Sequence, residues 1–254
     1  MAPETGKPVG FGAGSPETPT PTDLKTKRSP SLYDHTLITT DFDALKFHAA
    51  ASLQLQFGLP HESAAPQSDL LIASPYNGPK HLLDLKTLDH ANRLLAKALT
   101  ILRPIRNDYA TAPYTESFNW QVVFDFLRGL TQAEGHRWEK QRFYVVIFRS
   151  QLRADVDNQR LHDLDAYSHQ EAVASGGLLK YWFGTKDDER RNLATCIWRS
   201  RNDAKLGGTG PWHKKARGAA RDMYENITFT TMKLDIDDEV RTWSVTDWTD
   251  DDEI

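Results

Sequence analysis

The chain has 254 residues, 39% hydrophobic and 26% charged, with a formal net charge of -4. That is enough chain to bury a substantial core as one large domain or two small ones. The acidic balance argues against a general nucleic-acid binder, which needs a basic face.

Residues 1–31 are low in complexity, with Pro3, Pro8, Pro16, Pro19, Pro21 and Pro30 set among Gly, Thr and Glu. Such a stretch buries too little apolar surface to offset its ordering entropy, so a disordered head is expected. Lys25, Lys27 and Arg28 form a small basic cluster there, read as a solvated linker with nuclear access as the sharper alternative. The opening residues lack the apolar core of a secretory signal, and no run approaches the ~20 apolar residues that span a bilayer. A cytoplasmic protein with no membrane partner is expected. The lone cysteine, Cys196, permits no internal disulfide and no thiolate zinc cluster, and reads as a small core residue.

Residues 32–140 read as a mostly helical region. Leu37 to Thr40 suits a strand and Asp41 an N-cap, while the Pro-rich stretch from Gly58 to Pro79 suits a surface loop with a short strand at Leu70 to Ala73. Leu88, Ala91, Leu95, Ala98, Leu99 and Leu102 recur at helical spacing, with Thr87 placed to cap and Pro104 beyond the end. Ser117 is placed to cap the next helix, whose apolar face carries Trp120, Val123, Phe124, Leu127 and Leu130, and Gly135 ends it.

Residues 141–248 change pattern. Phe143 to Phe148 is an apolar run expected to form a strand buried on both faces. A helical stretch follows around Leu161, Leu164 and Tyr167, and Ser168 with Glu171 has capping-box spacing for a short new helix stopped by Gly176 and Gly177. His169 then reads as a first-turn surface residue. Strands are expected at Leu178 to Phe183 and Leu193 to Trp198, joined by a charged hairpin tip. Arg201 to Gly210 reads as a polar loop. Pro211 opens a helix whose stripe of Trp212, Ala216, Ala219, Ala220 and Met223 suits packing on a sheet. Thr228 to Ile236 and Val240 to Trp248 form a closing hairpin, and residues 249–254 an acidic tail expected to be solvated and frayed.

The order is β-α-β-β-α-β with an added strand, which predicts an α+β, ferredoxin-like antiparallel sheet with both helices on one face. Since Tyr144, Val146 and Phe148 alternate with Phe143, Val145 and Ile147, the second face also needs a cover: a partner subunit or the N-terminal helices.

Three strings, Ser175 to Gly184, Asn192 to Ser200 and Gly210 to Ala216, together with Tyr109 to Tyr114 and Ser117 to Trp120, resemble a mainly fungal family of uncharacterised proteins over roughly Leu83 to Trp248. The C-terminal part is more distantly similar to dimeric α+β-barrel domains, among them antibiotic-biosynthesis monooxygenases and haem-degrading enzymes. That resemblance implies a homodimer in which two sheets face each other, with a hydrophobic small molecule held between sheet and helices.

His213, at a helix start, is the candidate catalytic base, because a helix N-terminus favours neutral imidazole. A structural histidine bonding the preceding loop is the plainer alternative. Tyr181, Trp182 and Trp198 are candidates to hold a flat ligand, with Trp182 and Trp198 on one pocket wall, or plain core. Lys180 and Arg199 mark an anion site or a strand end. Trp212 flanks His213, and Asn119 with Trp120 either closes the pocket or anchors the helical layer. No cofactor is expected. Haem, with His213 as axial ligand, is the weaker alternative, since the resemblance puts the ligand position of the haem-degrading enzymes about a turn later, where this chain carries Arg217. The chain lacks a P-loop, a Rossmann fingerprint, a Gly-x-Ser-x-Gly elbow and a His-Glu-x-x-His zinc motif. The function expected is small-molecule binding, with cofactor-independent oxygenation, isomerisation or cyclisation as the chemistry and a non-catalytic ligand-binding or scaffold role as the alternative.

Overall fold

The structure, a computed structural model, describes residues 69–252. The expected head, the strand at Leu37 to Thr40 and the Asp41-capped helix lie outside those residues.

Two short strands, β1 (Leu70–Leu71) and β2 (Leu83–Asp84), pair antiparallel. The first long helix, α1 (His90–Ala98), is capped by Asp89, whose carboxylate accepts from the Asn92 N–H, and not by Thr87. Asp89 directly precedes the first helical residue, where its carboxylate reaches the free N–H groups of the first turn, whereas Thr87 lies two residues further out and its hydroxyl donates to the Asp84 carbonyl. A single turn, α2 (Tyr114–Ser117), precedes α3 (Trp120–Ala133). Ser117 therefore ends one helix instead of capping the next, and Gly135 takes a positive φ just past the end of α3.

The sheet follows. Its elements are β3 (Gln141–Leu152), α4 (Asn158–Ser175), β4 (Leu178–Phe183), β5 (Arg191–Trp198), α5 (Arg201–Gly207), α6 (Pro211–Met223), β6 (Tyr224–Ile236) and β7 (Trp243–Asp247). The five strands lie in the order β4-β5-β3-β6-β7, every pairing antiparallel. Leaving out the edge strand β7, that is the ferredoxin-like arrangement, so the α+β expectation holds.

Several local expectations are corrected. Asp157 caps α4, which runs unbroken through Ser168 and Glu171, so their spacing marks no helix start and His169 lies mid-helix, buried. Arg201 to Gly207 is helical because the Ser200 hydroxyl accepts from the Asp203 N–H. The α6 stripe packs mainly on α4: Trp212, Ala216, Ala219 and Met223 cluster with Leu161 and Leu164. The tail is not frayed at Asp252, which is held by Lys233 and Arg142.

Register separates the two faces of the sheet, since paired residues point the same way. Tyr144, Trp198 and Leu178 share one face and cluster with Ala172 of α4. Phe143, Val145, Ile147, Leu234 and Ile236 share the other, in one apolar cluster with Leu94, Trp120, Phe124 and Leu127. The N-terminal helices are thus the cover that the second face requires. Each large side chain sealed there contributes about 1.5–3 kcal/mol.

Candidate functional site

On the other face, α4 turns a polar stripe inward. His162, Asp165 and His169 follow at three- and four-residue spacing and so share one side of the helix. A strap between β1 and β2 reaches them by passing round the β4 edge. Its Ala73 carbonyl accepts from the Tyr181 N–H at 2.9 Å, and Ala73 and Ser74 are buried; the strand expected at Leu70 to Ala73 is β1, shortened to Leu70–Leu71, and the chain just beyond it is not the surface loop expected. The Ser74 hydroxyl accepts from the Tyr76 N–H at 3.2 Å, a turn that aims Tyr76 at α4.

Two phenols converge on one carboxylate. Tyr76 from the strap donates to Asp165 Oδ2 at 2.5 Å, and Tyr181 from β4 donates to Asp165 Oδ1 at 2.6 Å. Burial raises the Asp165 pKa, and the two phenol hydrogen bonds that favour its charged form do not cancel that rise. Both tyrosines are pushed up in turn, by burial first and then by the Asp165 charge.

Beside this trio, His81 of the strap stacks on Tyr76 with centroids 4.7 Å apart, and its Nδ1 meets His169 Nδ1 at 2.8 Å. The Gln170 amide nitrogen faces His81 Nε2 at 3.2 Å and can only donate. His81 therefore carries its proton on Nδ1 and donates it to His169, whose own proton is on Nε2. Burial lowers both pKa values, assisted by neighbouring imidazoles, with His169 pushed down to about 3. The pair is neutral near pH 7. Its second protonation would set two N–H groups against each other.

His213 enters from α6. Its Nδ1 lies 3.0 Å from Glu171 Oε2, and the same carboxylate accepts from the Trp212 N–H at 2.7 Å and the His213 N–H at 3.1 Å. Glu171 is thus a cap lent by α4 to α6. Burial opposes its ionisation, but those N–H groups hold its pKa below the usual value. The contact requires Gly210, where any Cβ would overlap the Glu171 carboxylate. His213 lies within electrostatic reach of both Asp165 and His169.

The other expected site residues disperse. Trp198 shares the helix-side face with Tyr181. Trp182 points the opposite way, against Phe118 and Tyr109, so the common Trp182–Trp198 wall is corrected by the alternation of strand side chains. Lys180 pairs in register with Ile197 and is fully buried, which lowers its pKa. Asn119 hydrogen-bonds Arg103 N and Ile101 O, and Trp120 is core at 1% exposure. Trp212 stacks on Tyr167 under the Lys215 ammonium. Arg199 makes a bidentate pair with Asp203 and lines an open cavity where β5 ends. The Cys196 thiol is pushed up by burial.

Tyr76, His81 and Asp165 were not singled out from the sequence, and Glu171 was read only as a capping-box residue. The available signal was the i, i+3, i+7 polar stripe on α4, whose partners in the strap are some ninety residues away. Among the described residues no group of three or more His, Cys, Asp or Glu is placed to hold a metal ion, and no helix is long and apolar enough to cross a membrane.

Three solved structures resemble part of the chain. Rv0793 from Mycobacterium tuberculosis is 19% identical, covering 35% of this chain and 91% of its own, with a TM-score of 0.32. A candidate antibiotic biosynthesis monooxygenase from Nitrosomonas europaea is 17% identical, covering 35% and 94%, with a TM-score of 0.31. A protein of unknown function from Thermobifida fusca, described as dimeric and ferredoxin-like, is 11% identical, covering 37% and 92%, with a TM-score of 0.30. In full-length sequence, the chain is 35% identical over 185 residues to the UPF0643 protein PB2B2.08 of Schizosaccharomyces pombe, an alignment spanning 68% of this chain and 82% of that protein. The PB2B2.08-like family model matches residues 72–247, a span that holds both the sheet and the strap, and the chain belongs to that family.

Proposed function

We propose that this protein is a small-molecule enzyme in which Asp165, Tyr76 and Tyr181 form the proton-handling centre. The observation that carries the reading is the double hydrogen bond to Asp165, from two phenols on different elements, beside the neutral His81–His169 pair. A carboxyl with a raised pKa is poised to exchange protons, and a phenol beside it can donate to an oxygen that gains charge. The substrate is a hydrophobic or aromatic metabolite with an acidic C–H or O–H, packed against Tyr76 and Phe183. Isomerisation, cyclisation and cofactor-independent oxygenation all begin with loss of that proton. His213, one-quarter exposed and oriented by Glu171, becomes the carrier between this centre and solvent.

One observation favours a second, non-catalytic reading. Tyr76 and His81 both belong to the strap, so the same bonds fasten the N-terminal layer to α4. The two readings separate in D2O. Phenols and aromatic ketones that bind by ligand-observed NMR are assayed for deuterium uptake at their acidic positions. Wild type accelerates uptake, and Asp165→Asn and Tyr181→Phe, still folded by circular dichroism, slow it at least ~100-fold. Equal uptake in wild type and both folded variants, or none in wild type, leaves only the fastening role.

A further inference from the structure

A second feature is independent of the Asp165 centre and lies on the outer side of α6. The stripe of Trp212, Ala216, Ala219 and Met223 is taken up by α4, and the opposite side of the helix faces water. Lys214, Lys215, Arg217, Gly218 and Arg221 are all exposed there. Lys214, Arg217, Gly218 and Arg221 stand at i, i+3, i+4 and i+7, so one face presents three cations around a glycine. Lys215 borders that face, with its ammonium 3.8 Å from the centre of the Trp212 ring.

The fold does not neutralise these charges. Among the described residues no carboxylate pairs with Lys214, Lys215, Arg217 or Arg221. Arg217 donates to the Gly208 carbonyl at 2.9 Å, which fixes its position and leaves its charge uncompensated. Asp222, the single acid on the helix, lies 3.6 Å from Arg160 of α4. Gly218 is equally unexplained by the chain itself. It has no left-handed φ, and no atom comes within 4 Å of where its Cβ would stand. A glycine in mid-helix weakens the helix relative to alanine, so a bare spot at the middle of the cations has a cost without a return inside this chain.

We propose that the outer face of α6 docks an acidic helix of a partner protein, seated over Gly218 with its carboxylates on Lys214, Arg217 and Arg221. The distance between packed helices is set by the side chains at their contact, and a glycine there lets the partner come close enough for short carboxylates to reach the cations on either side. Leu206, 52% exposed and two residues before the Gly208 that Arg217 holds, offers the partner an apolar flank. The length of the ridge favours a helix over a longer polyanion. Thirteen helical residues span roughly 20 Å. A nucleic-acid strand or a membrane surface would run past that ridge onto a chain whose net charge is -4.

The test is an NMR titration of the full chain, at low salt, with an alanine-based helical peptide of about 15 residues that carries glutamates every three to four residues along one face. A peptide of the same composition with its glutamates spread around the helix is the comparison. The striped peptide should shift the α6 amides and bind at least ~5-fold more tightly than the spread one, and added salt should weaken it. Lys214→Glu with Arg221→Glu should cost at least ~10-fold, and a peptide with lysines in place of the glutamates should restore binding to that variant alone. Gly218→Leu should weaken binding ~5-fold while the unfolding midpoint does not fall, which separates lost docking from lost folding. Asp165→Asn should bind as wild type does. The proposal is overturned by α6 amides that do not move, by equal affinity for the two peptides, or by undiminished binding in Gly218→Leu. It is overturned equally if a single-stranded oligouridylate or phosphatidylserine vesicles bind this face more tightly than the striped peptide.

Discussion

The two faces of one sheet have opposite characters. The face under α1 and α3 is apolar and closed, with Val145, Ile197, Leu234 and Ile236 at 0% exposure. The face under α4 carries phenols, imidazoles and a carboxylate, and towards the start of β6 it leaves Phe229 60% exposed. Both are built from the same strands, whose side chains alternate apart from the register shifts at Leu178/Lys180 and Gln151/Leu152. The difference teaches that here burial supplies stability on one side, while on the other each buried polar atom must find a partner and can then do chemistry.

Three measurements would break or sharpen that contrast. The largest effect is expected on the closed face: Trp120→Ala should lower unfolding stability by about 3–5 kcal/mol in urea titration, because a fully packed ring leaves a cavity. A loss below 1 kcal/mol would show that this face is not the stabilising one. Next comes pH. His169, with its pKa depressed from 6.5 to about 3, binds protons less well folded than unfolded, and His81 shifts the same way. Their contribution is whole above pH 6.5 and is lost as pH falls towards 3, so stability should drop by roughly 3 kcal/mol between pH 7 and 4. Asp165 acts in the opposite sense, since a raised pKa contributes stability at low pH that is lost as pH rises through the folded value. A flat profile, or one unaltered in His169→Gln, would remove the histidine pair from the account. The smallest effect belongs to Phe229→Ser, expected within ~0.5 kcal/mol in thermal unfolding because the ring is mostly in water already.

Much of the fold was legible because strands and helices announce themselves by period. Leu178–Phe183 was placed to the residue, and the Phe143 to Phe148 run fell inside β3. What period cannot show is partnership across long separation. Tyr76 sits among prolines and glycine, and nothing local says that its hydroxyl ends on Asp165, 89 residues on. His169 was misplaced for a related reason: Ser168 and Glu171 imitate a helix start, while the residue that stops α4 from beginning there is Asp157, a turn upstream of Leu161. His213 was visible as a helix-start histidine, yet its orientation by Glu171 depends on Gly210, whose role is an absent Cβ.

The sealed face has a consequence for assembly. By laying α1 and α3 across its own strands, one polypeptide supplies internally the layer that a facing subunit would otherwise contribute. Two copies stacked sheet to sheet would first have to peel those helices away and hydrate the rings of Trp120 and Phe124. On the lateral borders the strap already claims part of β4 through Ala73, while β7 has β6 alone as its neighbour among the described residues. A contact between two copies through that sheet face is therefore closed unless those helices move.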